Sequence, residues 1–346
     1  MRPRPAGYGD RMVRGGVSVV ATVLAAALLA GCSADPSAAA GRLAVEAYVE
    51  PGTHAGTRVT DAGGRASTIG IDGVTLAEDG ASLLDPPEGT AALARTATRA
   101  GSTPELLLSN YSSDLGDFSP EIGTALLSSA DHRTAVAEEL ARRARALGMR
   151  GVQIDLESLR ARDRAGLTAF ARTLTDAVHR RLGRGAGVSI AVMASTSAAG
   201  FLDTGYDLRR LTRYVDRVVL MTYDEHGPWS GAGTIGSLPW AERVVRAAEA
   251  QGVPRGRIDL GIAGYGYVWG GAHDGEQVTP AQAAKLAGEH AKWSARDGEW
   301  SARLRDGTRL HWSGARSYRA RTALATELRL HGVALWSLNL QALPRD

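Results

Sequence analysis

The sequence predicts an α/β protein built as a (β/α)8 (TIM) barrel, and three observations support this fold class. Eight short apolar runs alternate with helix-like stretches between residues 43 and 340. The central run, residues 151–157, has one apolar and one polar face and lies between two strongly helical segments. The regular spacing is broken once, between the seventh and eighth runs, where an insertion fits.

Each predicted strand is a short run that is either apolar or alternates apolar with polar side chains. The runs are residues 43–48, 68–71, 106–108, 151–157, 188–193, 218–223, 258–263 and 333–338. Strands that alternate with helices pair in parallel, and eight of them can close into a barrel. The active site of such a barrel lies at the C-terminal ends of its strands.

Helical periodicity is clearest on either side of the central run. On its N-terminal side, Val136, Leu140 and Ala144 form one apolar stripe, and Gly148 ends the helix. On its C-terminal side, apolar residues recur at the same spacing over residues 167–178. Further helices are predicted over residues 208–214, 239–251 and 322–330.

The barrel domain is predicted to span residues 42–346, with one interruption. Residues 265–321 are too many for a single crossover between two strands. They contain a helical stretch over residues 280–293 and strand-like runs over residues 299–304 and 308–312. We therefore expect a small α+β insertion between strands seven and eight.

Residues 1–32 resemble a bacterial lipoprotein signal peptide. Arginines precede an apolar run over residues 17–30, which is too short to span a bilayer comfortably. The run ends in Leu-Ala-Gly-Cys, which resembles a lipobox with Cys32 as the lipidated residue, and residues 33–41 would form a tether. We expect a lipid-anchored protein on the extracytoplasmic face of the cell membrane. A plain signal peptide and an uncleaved anchor are the alternatives.

Charge and cysteine content exclude several classes of protein. Without the four arginines and one aspartate of the first 14 residues, basic and acidic residues are equal in number, so the chain offers no basic field for nucleic acid. Cys32 is the only cysteine, so no internal disulfide can form. His226 has no His or Cys companion at ligand spacing. We expect no metal, no cofactor and a monomer.

The central run carries the carboxylates that are most suited to chemistry. Its apolar residues alternate with Gln153, Asp155 and Glu157, which therefore share one face. In a barrel this face would be the lumen, where two carboxylates near the open end indicate acid–base chemistry. An outer strand whose polar face meets water fits the same pattern, so both interpretations stay open at this point.

Residues 151–157, Gly-Val-Gln-Ile-Asp-Leu-Glu, resemble the catalytic strand of glycoside hydrolase family 18, the chitinase-like enzymes, whose usual pattern is Asp-x-x-Asp-x-Asp-x-Glu. Met-Thr-Tyr-Asp at residues 221–224 is similar to the family's sixth-strand motif, and Trp336 falls where the family places a tryptophan. The resemblance covers residues 43–340. The segments that resemble the spore-germination-type peptidoglycan N-acetylglucosaminidases are residues 108–111, 220–226 and 236–240.

This resemblance implies a retaining, substrate-assisted hydrolysis of β-linked N-acetylglucosamine glycans. Glu157 would be the general acid and base, and Asp155 would raise its pKa and orient the acetamido group of the substrate. Tyr223 would donate a hydrogen bond to the acetamido oxygen, Asp224 would position that group, and Trp336 would form an apolar floor. The structural alternatives are a buried ion pair for the carboxylates, a helix cap for Asp224 and core packing for the rings.

Four further residues are predicted to contact the substrate: Tyr48, Asn110, Gln153 and Met221. A turn residue and a lumen filler are the alternatives for Asn110 and Met221. Arg150 and Gln153 replace the first two aspartates of the family pattern. We expect the amide of Gln153 to hydrogen-bond Asp155, so that Asp155 stays charged throughout the reaction.

Three functions fit the sequence. The leading hypothesis is a surface-anchored N-acetylglucosaminidase that acts on an N-acetylglucosamine-containing polysaccharide, either peptidoglycan or a chitin-like glycan. The second is a non-catalytic glycan-binding lipoprotein on the same barrel, which the presence of Glu157 disfavours. The third is a magnesium-dependent barrel enzyme with Asp155, Glu157 and Asp224 as oxygen ligands, which a chelator would inactivate.

Overall fold

A computed structural model describes residues 43–345 of the protein. The predicted signal peptide over residues 1–32, its lipid site Cys32 and the tether over residues 33–41 lie outside the described residues. Within them, eight parallel strands close into a barrel in which each strand pairs with the next and the eighth pairs with the first. The structure therefore confirms the predicted (β/α)8 fold class.

The barrel strands are referred to as first to eighth in chain order. They are Ala44–Val49, Thr68–Thr75, Thr103–Ser109, Gly151–Asp155, Gly187–Met193, Arg217–Met221, Ile258–Ala263 and Gly332–Trp336. All eight lie at the predicted runs, because strands covered on both faces need apolar side chains toward the helices. The fourth strand ends earlier than predicted, so Glu157 lies on the loop that follows it.

Helices pack around the outside of the barrel. Those of the barrel layer are Ala55–Ala62, Thr90–Arg99, Pro120–Ser128, Ala130–Leu147, Arg164–Leu182, Ala198–Asp203, Leu208–Leu211, Leu238–Ala250 and Ala315–Glu327. The helix before the fourth strand is capped by the Ser129 hydroxyl and ends at Gly148, whose φ of 78° favours glycine. None of the helices within residues 43–345 has the length and apolar character needed to cross a bilayer.

The insertion between the seventh and eighth strands is a five-stranded antiparallel sheet with one helix. In spatial order its strands are Gln277–Val278, Gly266–Trp269, Arg309–Trp312, Glu299–Arg303 and Lys292–Ser294, and its helix is Pro280–Ala287. The helix ends before the predicted residue 293 because Gly288 follows it with a φ of 50°, after which the chain returns as a strand.

A buried ion pair attaches the insertion to the barrel. Glu299 accepts hydrogen bonds from the backbone N–H groups of Ile235 and Gly236, each at 2.8 Å. It also pairs with Arg321, which is fully buried on the helix before the eighth strand. The insertion is thereby fixed to the loop that follows the sixth strand.

Side chains fill the barrel lumen in layers. At its N-terminal end, Arg217 forms ion pairs with Glu46 (3.0 Å), Glu105 (2.7 Å) and Asp259 (2.6 Å). These groups line a depression of about 1040 Å³, but they are satisfied by one another. The next layer toward the C-terminal end is apolar and comprises Tyr48, Leu107, Val219 and Ala334. Only the opposite end therefore leaves polar groups free for chemistry.

Candidate active site

A cavity of about 510 Å³ opens at the C-terminal end of the barrel. Eight predicted site residues line it: Tyr48, Gln153, Asp155, Glu157, Met221, Tyr223, Asp224 and Trp336. They come from the first, fourth, sixth and eighth strands and the loops that follow them. Asn110 is the one predicted site residue within residues 43–345 that is not part of the lining.

Glu157 is fixed through its backbone. Asn110 accepts a hydrogen bond from the Glu157 N–H (2.9 Å) and donates one to the Glu157 carbonyl (3.0 Å), so it supports the loop from behind the cavity. Burial raises the pKa of Glu157 well above its ordinary value of 4.5, and the neighbouring Asp155 and Asp224 raise it further. Both effects favour the protonated form of Glu157, which is the form that can donate a proton.

Asp155 is 7% exposed and points into the lumen. Its Oδ1 atom has no hydrogen-bond partner among the described residues. Burial raises the pKa of Asp155 to about 7, and Asp72 on the second strand is the second cause. Since Gln153 beside it is fully buried, the alternative of an outer strand whose polar face meets water is wrong.

Gln153 does not hydrogen-bond Asp155, contrary to the sequence-based expectation. Its Oε1 accepts a hydrogen bond from the Tyr48 hydroxyl (2.8 Å), and its Nε2 donates to Ser189 Oγ (2.9 Å) and to Glu46 (3.3 Å). The amide thus bonds to partners on the first and fifth strands, which a local sequence pattern does not reveal. Asp155 therefore receives no amide donor from Gln153.

Asp224 is held by two tyrosines that come from the start of the insertion. The hydroxyls of Tyr265 (2.8 Å) and Tyr267 (3.1 Å) both donate to Asp224 Oδ1. Burial raises the pKa of Asp224, and these two hydrogen bonds oppose the rise. Sequence reasoning missed the role of the two tyrosines, although their i, i+2 spacing after the seventh strand places them on one face.

Aromatic rings form the floor and the mouth of the cavity. Trp336 packs against Tyr48 with ring centroids 5.3 Å apart, and Tyr223 lines the same cavity. At the mouth, Trp229 is 68% exposed and contacts Tyr267 with centroids 5.9 Å apart. Rings arranged in this way suit the apolar faces of sugar rings.

The cavity is acidic. Asp117, Asp155, Glu157 and Asp224 line it, and none of its lining residues is Lys, Arg or His. Its carboxylates do not form a metal site either, because residues 43–345 contain no group of three or more His, Cys, Asp or Glu side chains placed to hold an ion. The geometry therefore gives the magnesium-dependent alternative no support.

A comparison with known families covers most of the residues that form this cavity. The model of the glycosyl hydrolases family 18 matches residues 110–341, which include every lining residue except Tyr48 and Leu107. The chain belongs to glycosyl hydrolase family 18. The resemblance drawn from residues 151–157 and 221–224 is thereby confirmed at the level of the family.

Relatives within family 18 include enzymes of spore cortex and chitin breakdown. Over 192 residues, 54% of this chain and 42% of the relative, the chain is 30% identical to the cortical fragment-lytic enzyme of Bacillus anthracis. It spans about half the length of the curated relatives that it matches.

Two crystal structures show the same fold. The Bacillus cereus spore cortex-lytic enzyme SleL has a TM-score of 0.74 at 24% identity, over 86% of this chain and 71% of that one. A chitinase from Chromobacterium violaceum has a TM-score of 0.76 at 22% identity, over 86% of this chain and 95% of that one. Both likenesses establish the barrel of this family 18 chain.

Proposed function

We propose that the protein hydrolyses β-linked N-acetylglucosamine glycans by retaining, substrate-assisted catalysis. The observation that carries the proposal is the carboxyl group of Glu157, whose protonated form is favoured by burial, beside Asp155 and above an aromatic floor. A glycosidase needs a protonated acid at the leaving oxygen and negative charge near the sugar that becomes positive. Membership of family 18 agrees with this chemistry.

Each side chain has a defined task in the reaction. Glu157 gives its proton to the leaving glycosidic oxygen while the acetamido oxygen of the substrate attacks the anomeric carbon and the glycosidic bond breaks. Asp155 stabilises the resulting positive oxazolinium ring, and Tyr223 donates a hydrogen bond to the acetamido oxygen. Water then attacks the same carbon, the bond from that carbon to the acetamido oxygen breaks, and the proton released by the water goes to Glu157, which restores the starting state.

The remaining lining residues position the sugar. Asp224, fixed by two tyrosine hydroxyls, orients the acetamido group, and Trp336 with Tyr48 supports the apolar face of the ring. Met221 fills the wall beside them. Gln153 acts indirectly, since its amide holds the Tyr48 hydroxyl at 2.8 Å.

Peptidoglycan is the proposed substrate, with chitin-like glycans as the alternative. Curated relatives include a cortical fragment-lytic enzyme, and similar structures include a cortex-lytic enzyme and a chitinase. A lipid on Cys32 would hold the enzyme on the extracytoplasmic face of the cell membrane, beside the cell wall. We further propose that it acts as a monomer.

Digestion of purified peptidoglycan and of chitin oligomers, followed by mass spectrometry of the products, tests the proposal. The wild-type protein should release fragments with N-acetylglucosamine at the new reducing end. Glu157→Gln should lower turnover by at least about a hundredfold because the proton donor is lost. Glu289→Gln, an exposed change on the insertion, is the matched control and should leave turnover intact.

Three outcomes would contradict the proposal. Turnover that persists in Glu157→Gln would show that Glu157 is not the general acid. Tight glycan binding by the wild-type protein without any product would instead support the non-catalytic glycan-binding alternative. Loss of activity with a chelator would favour a metal-dependent reaction.

A further inference from the structure

Charged residues are distributed unevenly between the loops at the two ends of the barrel. The loops that follow the first six strands are mainly acidic, and Arg160 and Arg162 are their only arginines. The loops that precede the second to eighth strands are basic instead, and Asp216 is their only acidic residue. The cavity mouth and the opposite end of the barrel therefore carry surface charge of opposite sign.

Five exposed arginines lie on the loops before the fourth to eighth strands. These strands are neighbours in the barrel, so the five arginines follow one arc of its N-terminal end. None of them forms an ion pair with another of residues 43–345. We call this arc the basic face, and its arginines are Arg150, Arg184, Arg213, Arg257 and Arg329.

The carboxylates at this end of the barrel do not cancel the charge of the basic face. Glu46, Glu105 and Asp259 are buried below the surface, and all three pair with Arg217. Asp216 is exposed and accepts a hydrogen bond (2.9 Å) from a backbone N–H of the fifth strand. Although basic and acidic residues are equal in number after residue 14, the exposed charge at this end is therefore positive.

The chain also enters the barrel at this end. The first strand begins at Ala44, which pairs with Gly332 at the start of the eighth strand, next to the basic face. Any segment before residue 43 is therefore joined to the barrel here. Residues 33–42 can extend over at most about 35 Å. A lipid on Cys32 would thus be connected to the basic face by a short chain.

We propose that the basic face docks on the surface of a bilayer rich in anionic lipid, with the cavity mouth directed away from the bilayer. Guanidinium groups bind phosphate oxygens in a bidentate manner, and each arginine at an anionic surface strengthens binding about fivefold. The same surface repels the acidic loops at the cavity mouth, so charge selects one orientation. That this orientation presents the cavity to wall glycan rests on the proposed function, whereas the docking does not.

Sedimentation with vesicles tests the docking. Residues 42–346 form one compact unit with its own core, so protein without residues 1–41 tests the surface without a lipid or the apolar run. It should sediment with vesicles of equal parts phosphatidylcholine and phosphatidylglycerol, and not with phosphatidylcholine alone. Salt should release it, because the Debye length falls to about 3 Å at 1 M. Absence of binding to the anionic vesicles would overturn the proposal.

Paired substitutions locate the contact. Arg184→Gln combined with Arg213→Gln should weaken vesicle binding about twentyfold, since two arginines of the basic face are lost. Arg184→Lys combined with Arg213→Lys keeps the charge and should retain most of the binding. Arg95→Gln combined with Arg172→Gln removes two exposed arginines from the middle of outer helices and is the matched control. An equal loss in the control would show that total charge, and not the basic face, determines binding.

A fluorescent label tests the orientation. Cys32 is the only cysteine of the chain, so residues 42–346 can carry a single introduced thiol. Gly185→Cys places it on the loop before the fifth strand, where a Cβ atom meets nothing within 4 Å. Leu115→Cys replaces a 62% exposed side chain on the loop after the third strand, at the cavity end. A quencher carried by the lipid should quench the label at position 185 and spare the label at position 115. Equal quenching, or the reverse order, would overturn the orientation.

A soluble anionic polymer of the cell wall is the competing partner. Binding to soluble polyglycerol phosphate without binding to the anionic vesicles would overturn the membrane proposal in favour of the polymer. The sedimentation and quenching experiments need no glycan cleavage. If the protein docks on vesicles as described but cuts no glycan, the proposed function fails and the docking stands. If it cuts glycan but ignores anionic vesicles, the docking alone fails.

Discussion

At the scale of single residues, Asp224 shows how the site uses an unusual backbone. Its φ of 61° lies in the left-handed region, which Asp tolerates better than most residues. This conformation directs its carboxylate to the hydroxyls of Tyr265 and Tyr267. The two tyrosines favour the ionised form of a half-buried carboxylate, because hydrogen bonds to the charged form oppose the rise in its pKa that burial causes.

Removal of one of the two tyrosine hydroxyls should therefore shift the pH dependence of kcat/KM. Tyr265→Phe deletes the 2.8 Å hydrogen bond to Asp224, so the pKa of Asp224 rises and less of it is ionised on the acid side. We expect the acid limb of kcat/KM to move to higher pH, with a loss of about tenfold below neutrality. Tyr214→Phe, a change outside the cavity, is the control. If the acid limb of kcat/KM does not move in Tyr265→Phe, the pKa of Asp224 does not depend on the Tyr265 hydroxyl.

At the scale of elements, the charged layer at the N-terminal end links four strands. Arg217 on the sixth strand pairs with carboxylates from the first, third and seventh strands. Burial raises the pKa of Glu46 to about 8 even though Arg217 lowers it. The ordinary pKa of Glu46 is 4.5, and its pKa in the folded protein is about 8. At pH values between these two, the folded protein binds more protons at Glu46 than the unfolded chain does, so the stability of the fold decreases as the pH rises.

Replacing Arg217 should make this pH dependence steeper. Arg217→Met leaves three buried carboxylates without their cation, and we expect a cost of about 3–5 kcal/mol in unfolding free energy at pH 8. The cost should be smaller near pH 5, because the carboxylates then accept protons more easily. Urea unfolding at both pH values measures the difference, and Arg180→Met at an exposed pair with Glu138 is the control. An equal loss of unfolding free energy at the two pH values would show that Arg217 does not stabilise the ionised forms of these carboxylates.

Local sequence patterns predict the strands and helices well. They predict poorly which side chains, distant in the sequence, form hydrogen bonds with one another. The eight strands and the principal helices follow from periods of 2 and 3.6 residues, because the barrel buries one side of each element. The partners of Gln153 do not follow, since Tyr48 and Glu46 are more than a hundred residues away.

At the scale of the whole molecule, the two ends of the barrel differ in whether a basic residue accompanies the carboxylates. The N-terminal end contains Arg217 among its carboxylates, so part of their negative charge is neutralised in place. The cavity at the C-terminal end has four carboxylates and no basic residue in its lining. Its net field is therefore negative, and any glycan that enters must be compatible with that field.

The charge of the substrate should therefore control its turnover. Peptide-free glycan strands with free lactyl carboxylates should be cut more slowly than the same strands after amidation, because carboxylates on both sides repel. Raising ionic strength shortens the Debye length to about 10 Å at 0.1 M, so added salt should speed the cutting of the anionic strands and leave neutral chitin oligomers unaffected. Asp117→Asn removes one exposed carboxylate of the lining. This change should reduce the difference in turnover rate between the free and the amidated glycan strands. Equal turnover of free and amidated strands at low salt would show that the acidic lining does not select the substrate.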